Sequence, residues 1–500
     1  MKKIIYIVTA ISLLFTLTSC EDWLEQFPHT DLADDEAIQS IDDAQFAMNG
    51  VYYRLRSASF YGRELWASTD SGTDDVVLRT DNSNRFTSTY MWTIQPGDQF
   101  YTPTWLQGYR AIHAANEVIK RLPDVVVANP ADETLKSQLL GEAYFIRALV
   151  HFELVKTFAH DFDYQGNGRM GIPYMKEPSI ETNVARNTID ECFTWIVEDL
   201  ETAVSHMNED KKSNTFSVGK LAAKAILARV YLYKAGKNDK ASFDKAAGYA
   251  KEVIASDKYR LAKASEYEIT TTNPLALPKD WAFASSMWFP GEGYAVESIF
   301  TIPYSNTESN GTNHISKIYL DKNRGYGDLL PSKNLKDLIA ENPDDVRNSF
   351  FYEAPDGKIG SRKFFGPAGE AELCNLNVIR LSEMYLIAAE ASVRGNGGDA
   401  EARKYLNELR KNRGLADFNQ SGSSLLNEIM NERRKELCFE GFRLSDLKRL
   451  NMSVVRGADP ENPGNQNYGL VYPNARFAAP ISDAELNANN LMVQNEGYDK

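Results

Sequence analysis

The feature that most constrains the fold is a pair of amphipathic segments between residues 377 and 412. In the first segment apolar residues recur at α-helical spacing, at Leu381, Met384, Tyr385, Ala388 and Ala391. A Gly-Asn-Gly-Gly sequence at 395–398 ends this helix, and Asp399 is the predicted N-cap of the next one. The second stripe contains Ala402, Tyr405, Leu406 and Leu409, and Gly414 is predicted to end it. Such a hairpin cannot bury its apolar faces alone, so it predicts neighbouring hairpins.

A second copy of the hairpin occurs at residues 221–256. Its two halves, 227–236 and 243–256, match 387–395 and 399–412 in their pattern of small residues, bulky residues and closing glycine. Both copies resemble tetratricopeptide-type units of about 34 residues. Helical spacing also occurs at 34–53, 104–121, 135–158 and 188–207. The sequence therefore predicts a mainly α fold, in which about 34–260 and 377–450 form a tetratricopeptide-like helical-repeat scaffold.

The region 261–376 interrupts this scaffold and differs from it in composition. It is rich in proline, glycine and aromatic residues, and helical spacing is confined to 334–341. Irregular segments of this length inside a compact protein are typically functional or disordered, and the aromatic content argues against disorder. We expect a loop-rich ligand lobe here and an irregular C-terminal segment at 451–500. Residues 34–500 are predicted to form a single domain.

The N-terminus has the pattern of an export signal. Lys2 and Lys3 precede an apolar run at 4–17, which is shorter than the roughly 20 residues of a membrane span. The run ends in Leu-Thr-Ser-Cys, which resembles the lipobox of bacterial lipoproteins. We predict a lipoprotein signal peptide at 1–19, lipidation of Cys20 and a tether at 20–33, with acyl chains holding the protein to a membrane. An ordinary secretory signal with an incidental cysteine is the alternative.

The overall charge limits the classes of partner. The chain has 69 acidic and 55 basic residues and a net charge of −14. Nucleic-acid binding requires a basic face, so the sequence predicts no nucleic-acid partner.

Cofactor and metal sites are not predicted. Three cysteines follow Cys20, and this odd number excludes a fully paired disulfide framework. Cys192 and Cys438 lie in helical patterns and are expected to be buried. A disulfide between Cys374 and Cys438 is compatible with the sequence. Residues 161–166 begin like a calcium loop, but its twelfth position lacks the bidentate glutamate, which favours a simple turn.

A charged cluster at 432–443 raises the question of catalysis. Glu432, Glu436 and Glu440 have the spacing of one helical face. Glycosidases need two carboxylates on opposite sides of the scissile bond, which one helical face does not provide. The neighbouring arginines favour a structural ion-pair network instead.

Aromatic residues in loops are the best candidates for ligand binding, because sugars present flat C–H faces that pack on rings. The candidates are Trp281, Trp288 and Tyr294 in the lobe, and Tyr90 and Trp92 in the turn-rich segment 60–103. For any one of these rings, packing in the core is as good an interpretation as ligand binding. The polar candidates for hydroxyl contacts are Asn82, Asn84, Arg85 and Asp98.

Several motifs occur in an order that identifies a family. Residues 432–449 read ERRKELCFEGFRLSDLKR, and they follow RLSEMYLIAAEA at 380–391, GEAYFIRA at 141–148 and WLQGYRAIHAAN at 105–116. The chain ends with NLMVQNEGY at 490–498. These motifs resemble those of the SusD/RagB family of surface nutrient-binding lipoproteins, although Glu496 replaces the usual proline and residues 161–164 replace the commoner glycine–aspartate turn.

The resemblance implies a non-enzymatic protein that pairs with a SusC-like TonB-dependent outer-membrane transporter. It also implies oligosaccharide ligands, although some relatives are directed to peptides. The predicted function is therefore that of a surface-facing, lipid-anchored outer-membrane lipoprotein that binds glycan nutrients and delivers them to the transporter. The alternatives are a peptide-binding or purely architectural lid of the same transporter, and a glycoside hydrolase.

Overall fold

The computed structural model describes residues 37–179, 183–210, 214–267, 296–364 and 371–498. Its α-helices are α1 Ile41–Leu55, α2 Glu64–Ser71, α3 Thr87–Tyr90, α4 Tyr101–Arg121, α5 Pro130–Phe158, α6 Ile189–His206, α7 Lys220–Lys234, α8 Lys240–Ala255, α9 Ser316–Tyr319, α10 Lys333–Ala340, α11 Leu381–Arg394, α12 Gly398–Lys411, α13 Ser423–Leu437, α14 Arg443–Arg449 and α15 Asp483–Ala488. Its strands are β1 Val76–Leu78, β2 Ser298–Ile302, β3 Leu329–Pro331, β4 Phe351–Glu353, β5 Ile359–Ser361 and β6 Leu376–Arg380. The predicted mainly α class is confirmed.

Local sequence explains where the scaffold helices begin. At the start of α1, the Ser40 hydroxyl accepts a hydrogen bond from the Asp43 amide at 3.1 Å, and the Asp43 carboxylate accepts one from the Ser40 amide at 2.9 Å. Thr188 and Glu191 form the same reciprocal capping box before α6. Each box satisfies amide groups that the first helical turn leaves without partners. The capping box places the start of α1 at Ile41 rather than at the predicted residue 34.

The scaffold helices pack in a series that follows the chain. Helices α4 to α8 pack against their neighbours in order, α8 packs against α11, and α11 packs against both α12 and α13. The two predicted hairpins, α7–α8 and α11–α12, are therefore stacked directly on each other. In α11 the predicted stripe residues are buried, apart from the half-buried Tyr385. The tetratricopeptide-like arrangement is confirmed. Among the helices of the described ranges, none has the length and apolar character of a membrane span.

The ends of α12 differ in part from prediction. Asp399 lies inside the first turn and is not the N-cap, which is Gly397. The Asp399 carboxylate instead accepts a hydrogen bond from the Gly422 amide at 2.7 Å. Gly414 does follow the helix in the left-handed region, with φ of +80°, and a Cβ there would lie 2.4 Å from the Asp344 carbonyl oxygen. Only glycine fits that position.

The lobe contains short strands that the sequence pattern did not predict. Strand β2 pairs with β6 in an antiparallel arrangement, in which Ile302 lies opposite Leu376. Because β6 runs directly into α11, this pair joins the lobe to the scaffold. Strand β1 pairs with β3, and β4 pairs with β5.

A buried ion-pair network fixes the lobe on the scaffold, and Glu436 on α13 lies at its centre. Arg413 donates hydrogen bonds from Nε and Nη2 to the Glu436 carboxylate at 3.0 and 2.8 Å. Arg347 of the lobe and Arg380 at the end of β6 also bond to Glu436. Arg413 reaches in addition Glu297, just before β2, at 2.8 Å. All of these side chains are almost fully buried.

The network confirms a structural role for the charged cluster and corrects its geometry. Helix α13 ends at Leu437, and Phe439 adopts a φ of +67°, so Glu440 does not continue the helical face of Glu432 and Glu436. The Glu440 carboxylate instead accepts a hydrogen bond from Arg380 at 2.8 Å. Each of the three glutamates is thus paired with arginine and sealed from solvent.

The cysteines of the described residues are all buried and free. A Cys374–Cys438 disulfide is therefore absent, and burial raises the pKa of the Cys438 thiol to about 12. The predicted burial of Cys192 is confirmed, and its thiol donates to the Ile172 carbonyl at 3.4 Å.

We predict that Glu436→Gln lowers the free energy of unfolding by about 3–5 kcal/mol, because it leaves buried guanidinium groups without their counter-charge. Burial alone would raise the pKa of Glu436, but Arg413 and Arg380 outweigh it and hold that pKa well below 4.5. The ionised carboxylate therefore stabilises the fold above about pH 4.5, and this contribution is lost as the pH falls. We measure the free energy of unfolding in urea for wild type and variant from pH 7 to pH 3. It should fall less steeply with decreasing pH in the variant than in the wild type.

The control for this experiment is Glu252→Gln on α8, where a half-exposed carboxylate pairs with Lys224 at 2.7 Å. Exposed pairs of this kind contribute roughly 0–1 kcal/mol. Equal losses in the two variants would contradict a central role for Glu436.

Candidate functional site

The candidate site is formed by residues 79–86, which follow β1, and residues 321–328, which precede β3. We call these segments the 79–86 loop and the 321–328 segment. Strand pairing brings them together: Leu78 lies opposite Leu329, and the Arg79 amide continues the ladder by donating to the Asp328 carbonyl at 3.1 Å. The pairing therefore places an N-terminal loop beside a segment of the inserted lobe.

The Asp328 side chain holds the 79–86 loop in place through hydrogen bonds with Ser83. Its carboxylate is fully buried and accepts hydrogen bonds from the Ser83 amide at 2.8 Å and from the Ser83 hydroxyl at 2.5 Å. A buried carboxylate is stable only when its oxygens are satisfied. The buried Asp328 carboxylate therefore depends on the hydrogen bonds from Ser83, and the conformation of the loop depends on the same bonds.

Arg85 and Tyr326 form the centre of the exposed face. The Arg85 guanidinium lies 3.6 Å from the centroid of the Tyr326 ring, which is a cation–π arrangement. Arg85 also donates to the Ser83 hydroxyl at 2.7 Å, and its side chain retains 29% of its exposure. The stacked pair therefore holds a planar group of hydrogen-bond donors at the surface.

The backbone of the loop is held in an unusual conformation. Asn84 and Phe86 have φ values of +63° and +58°, in the left-handed region that residues other than glycine seldom adopt. The Asn82 side-chain oxygen stabilises this turn by accepting from the Asn84 amide at 2.6 Å. Phe86 is buried and its ring stacks on Phe100 with centroids 4.5 Å apart. Strain of this kind often occurs where a ligand is recognised, and it leaves Asn84 exposed.

Salt bridges stabilise the rim of the site. Arg79 donates to Asp81 at 2.9 Å and to Asp356 at 2.9 Å, and Lys322 donates to the Asp81 carboxylate at 2.6 Å. The hydrogen bond from Arg79, followed by that from Lys322, holds the pKa of Asp81 well below its ordinary range. The rim charges thus neutralise one another, and the face offers amide, hydroxyl and guanidinium groups beside an aromatic ring. Such a combination suits a polyhydroxylated ligand.

The structure brings together only some of the residues predicted from sequence. Asn82, Asn84 and Arg85 lie in the loop, and their contact with a ligand stays a prediction. Asp98 instead accepts hydrogen bonds from the Phe100 amide and the Ser88 hydroxyl, and so stabilises the start of α4.

The placement of Tyr90 and Trp92 argues against their predicted ligand role. Tyr90 is fully buried, its hydroxyl donates to Asn465, and the Arg456 guanidinium covers its ring at 3.8 Å. Trp92 is 8% exposed and packs near Phe477, with ring centroids 6.0 Å apart. Neither ring presents a face that a sugar can reach. Trp281, Trp288 and Tyr294 lie outside the described residues, as does Cys20.

Tyr326 and Asp328 were missed by the sequence reasoning. The available signal was the sequence Gly-Tyr-Gly-Asp at 325–328, in which glycines flank an aromatic residue. Its relation to the 79–86 loop depends on β1–β3 pairing across about 250 positions, which no local pattern reveals.

A metal site is not formed in the part of the chain that the structure describes. Groups of three or more metal-ligating side chains do not occur within those ranges. Residues 161–163 form a turn in which the Asp163 amide donates to Asp161 at 2.9 Å.

We predict that Asp328→Ala releases the 79–86 loop, because the amide and hydroxyl of Ser83 lose their buried acceptor. Hydrogen exchange measured by mass spectrometry should become faster in peptides covering residues 82–86, and unfolding should cost about 1–3 kcal/mol less. Asp337→Ala, which removes an exposed partner of Lys333 on α10, is the matched control and should leave those peptides unchanged. Unaltered exchange in Asp328→Ala would show that the loop does not depend on this anchor.

Comparisons with solved structures agree with the fold. A SusD superfamily protein from Bacteroides vulgatus matches with a TM-score of 0.80 at 26% identity, covering 93% of this chain and all of the other. A SusD superfamily protein from Bacteroides thetaiotaomicron matches with a TM-score of 0.79 at 27% identity, over 91% of this chain and 99% of the other.

Sequence comparisons define the family. The SusD-like protein P2 of Formosa agariphila is 26% identical over an alignment 549 positions long, gaps included, which covers 100% of both chains. The starch-binding protein SusD of Bacteroides thetaiotaomicron is 34% identical over 124 residues, 25% of this chain and 22% of that protein. A family model described as "Starch-binding associating with outer membrane" matches residues 22–232, and the model described as "SusD family" matches residues 203–498. This second match spans more than half of the chain, and with the helical-repeat fold it shows that the protein belongs to the SusD family.

Proposed function

We propose that the protein is a surface-exposed outer-membrane lipoprotein that binds oligosaccharide nutrients and delivers them to a partner TonB-dependent transporter. Membership of a family of starch- and glycan-binding proteins associated with the outer membrane supports the glycan class. The observation that carries the proposal for this chain is the Arg85–Tyr326 pair, held at the surface by the buried carboxylate of Asp328.

Recognition in this proposal needs no bond cleavage. The guanidinium and the loop amides donate hydrogen bonds to sugar hydroxyls, and the half-buried Tyr326 ring beneath Arg85 orients the guanidinium. We expect a binding free energy of about 4–8 kcal/mol, which corresponds to millimolar to micromolar dissociation constants and allows release to the transporter.

The glutamates of α13 do not support the hydrolase alternative. Glu432 and Glu436 are buried and ion-paired with arginine, so neither can reach a glycosidic bond. The peptide-binding and architectural alternatives make a different prediction, namely that the 79–86 loop has no affinity for sugars.

We predict that Arg85→Ala and Tyr326→Ala each weaken oligosaccharide binding at least about fivefold, because each removes half of the stacked pair. Isothermal titration of neutral oligosaccharides such as maltoheptaose, cellohexaose, xylohexaose and mannohexaose measures the effect. Arg403→Ala is the matched control, since Arg403 is also half-exposed and donates to a serine hydroxyl, that of Ser421, at 2.7 Å.

The outcomes separate the three functions. Unchanged affinity in both site variants would reject this face as the glycan site. Binding of peptides but of no oligosaccharide by the wild type would favour the peptide alternative, and release of sugars from a polysaccharide by purified protein would establish a hydrolase.

The lipid anchor is tested at Cys20, which is followed by an acidic tether and by no second apolar run of comparable length. We predict that Cys20→Ser moves the protein from the outer-membrane fraction to the soluble fraction once the membranes are washed to dissociate protein partners, because the acyl chains are its direct attachment to the bilayer. Purification of the wild type from membranes should recover a β-barrel transporter. Retention of Cys20→Ser in washed membranes would contradict lipid anchoring.

A further inference from the structure

A cleft of about 780 Å³ lies beside α1, on a part of the molecule that shares no residue with the candidate site above. We call it the α1 cleft. Helix α1 forms one wall, the start of α5 another, and residues 214–217 together with the end of β2 form the rest. Its volume falls within the range of small-molecule binding sites.

The charged groups that line the α1 cleft already have hydrogen-bond partners. Arg56 donates to Glu308 at 2.6 Å, and this hydrogen bond holds the pKa of Glu308 below its ordinary value. Glu142 is buried and accepts hydrogen bonds from the Tyr52 hydroxyl and from Gln138, each at 2.8 Å. Among the described residues that line the cleft, Arg56, Glu308 and Glu142 therefore already have partners.

Aromatic rings and polar side chains occupy the open part of the cleft. Tyr53 is 63% exposed and Phe216 is 36% exposed, although large apolar rings are normally covered. The Arg56 guanidinium lies 4.4 Å from the centroid of the Tyr53 ring, which fixes one of its faces. Asn49 and Asn214 are exposed beside these rings. Exposed rings beside neutral amides match the chemistry of a sugar.

We propose that the α1 cleft is a second binding site for a neutral oligosaccharide. The ligand class rests on the proposed function, whereas the location rests on the geometry of the cleft alone. A rim of two accessible rings would contact sugar faces, and the amides of Asn49 and Asn214 would bind hydroxyl groups. A second site on one carrier raises the avidity for long chains when both sites can be reached together.

Gly50 provides a way to close the cleft without disturbing the core. It lies on the lining face of α1, and a Cβ placed there meets no atom within 4 Å. A tryptophan at this position therefore fills cleft space. Gly248 on α8 is the matched control, because it is likewise an exposed helical glycine whose Cβ would meet nothing within 4 Å.

The experiment compares Gly50→Trp, Gly248→Trp, Tyr53→Ala and Arg85→Ala in the detergent-solubilised full-length protein. Isothermal titration uses maltoheptaose, cellohexaose, xylohexaose and mannohexaose, with trigalacturonate as a charged comparison. Thermal unfolding first verifies that each variant is folded. For the neutral oligosaccharide that binds best, we expect two sites in the wild type and in Gly248→Trp, and one site in Gly50→Trp. Tyr53→Ala should weaken the second site by about threefold to tenfold.

The possible failures are distinguishable. If Gly50→Trp keeps the stoichiometry and affinity of Gly248→Trp while Arg85→Ala loses binding, the α1 cleft is not a glycan site and the proposed function stands. If the wild type binds none of the neutral oligosaccharides, both proposals fail. If trigalacturonate binds the cleft as tightly as the neutral sugars do, the inference of a neutral ligand is wrong.

Discussion

The structure depends on a buried cluster of charges rather than on apolar contacts alone. Glu436 binds arginines from three separate parts of the chain: Arg347, Arg380 and Arg413. Ion pairs in a protein interior seldom add stability compared with apolar side chains, but they are costly to break one partner at a time. Their geometric demands therefore fix how the lobe lies on the helices, in a way that apolar packing, which is not directional, does not.

This rigid junction is what allows a site to be built from distant segments. The 79–86 loop belongs to the N-terminal part of the chain, and the 321–328 segment belongs to the insertion. They meet because β1 pairs with β3, and the hydrogen bonds from Ser83 to Asp328 extend that pairing to the surface. A movement of the lobe by a few ångströms would separate Arg85 from Tyr326, so the ion-pair network also protects the site.

The sequence predicted the scaffold well because helical periodicity is a local signal. The helix predicted at 104–121 occurs at Tyr101–Arg121, and the one predicted at 188–207 occurs at Ile189–His206. The strands were missed because most of them are three residues long and lie among prolines, where no alternation can be seen. For the candidate site, residue type selected Asn84 and Arg85, whose contact with a ligand stays a prediction. It failed for Tyr90 and Trp92, because ring type does not distinguish a core residue from a ligand contact.

The anchoring of the 79–86 loop has a consequence for how such a protein can change the ligand that it binds. The loop is held by the backbone amide and hydroxyl of Ser83 and by the buried carboxylate of Asp328. The Asn84 side chain is exposed and makes no hydrogen bond among the residues that the structure describes. The loop's outward side chains can therefore be exchanged without loosening the frame beneath them. In the proposed function, sugar preference and folding would be encoded by different atoms of the same few residues, so one could evolve while the other is conserved.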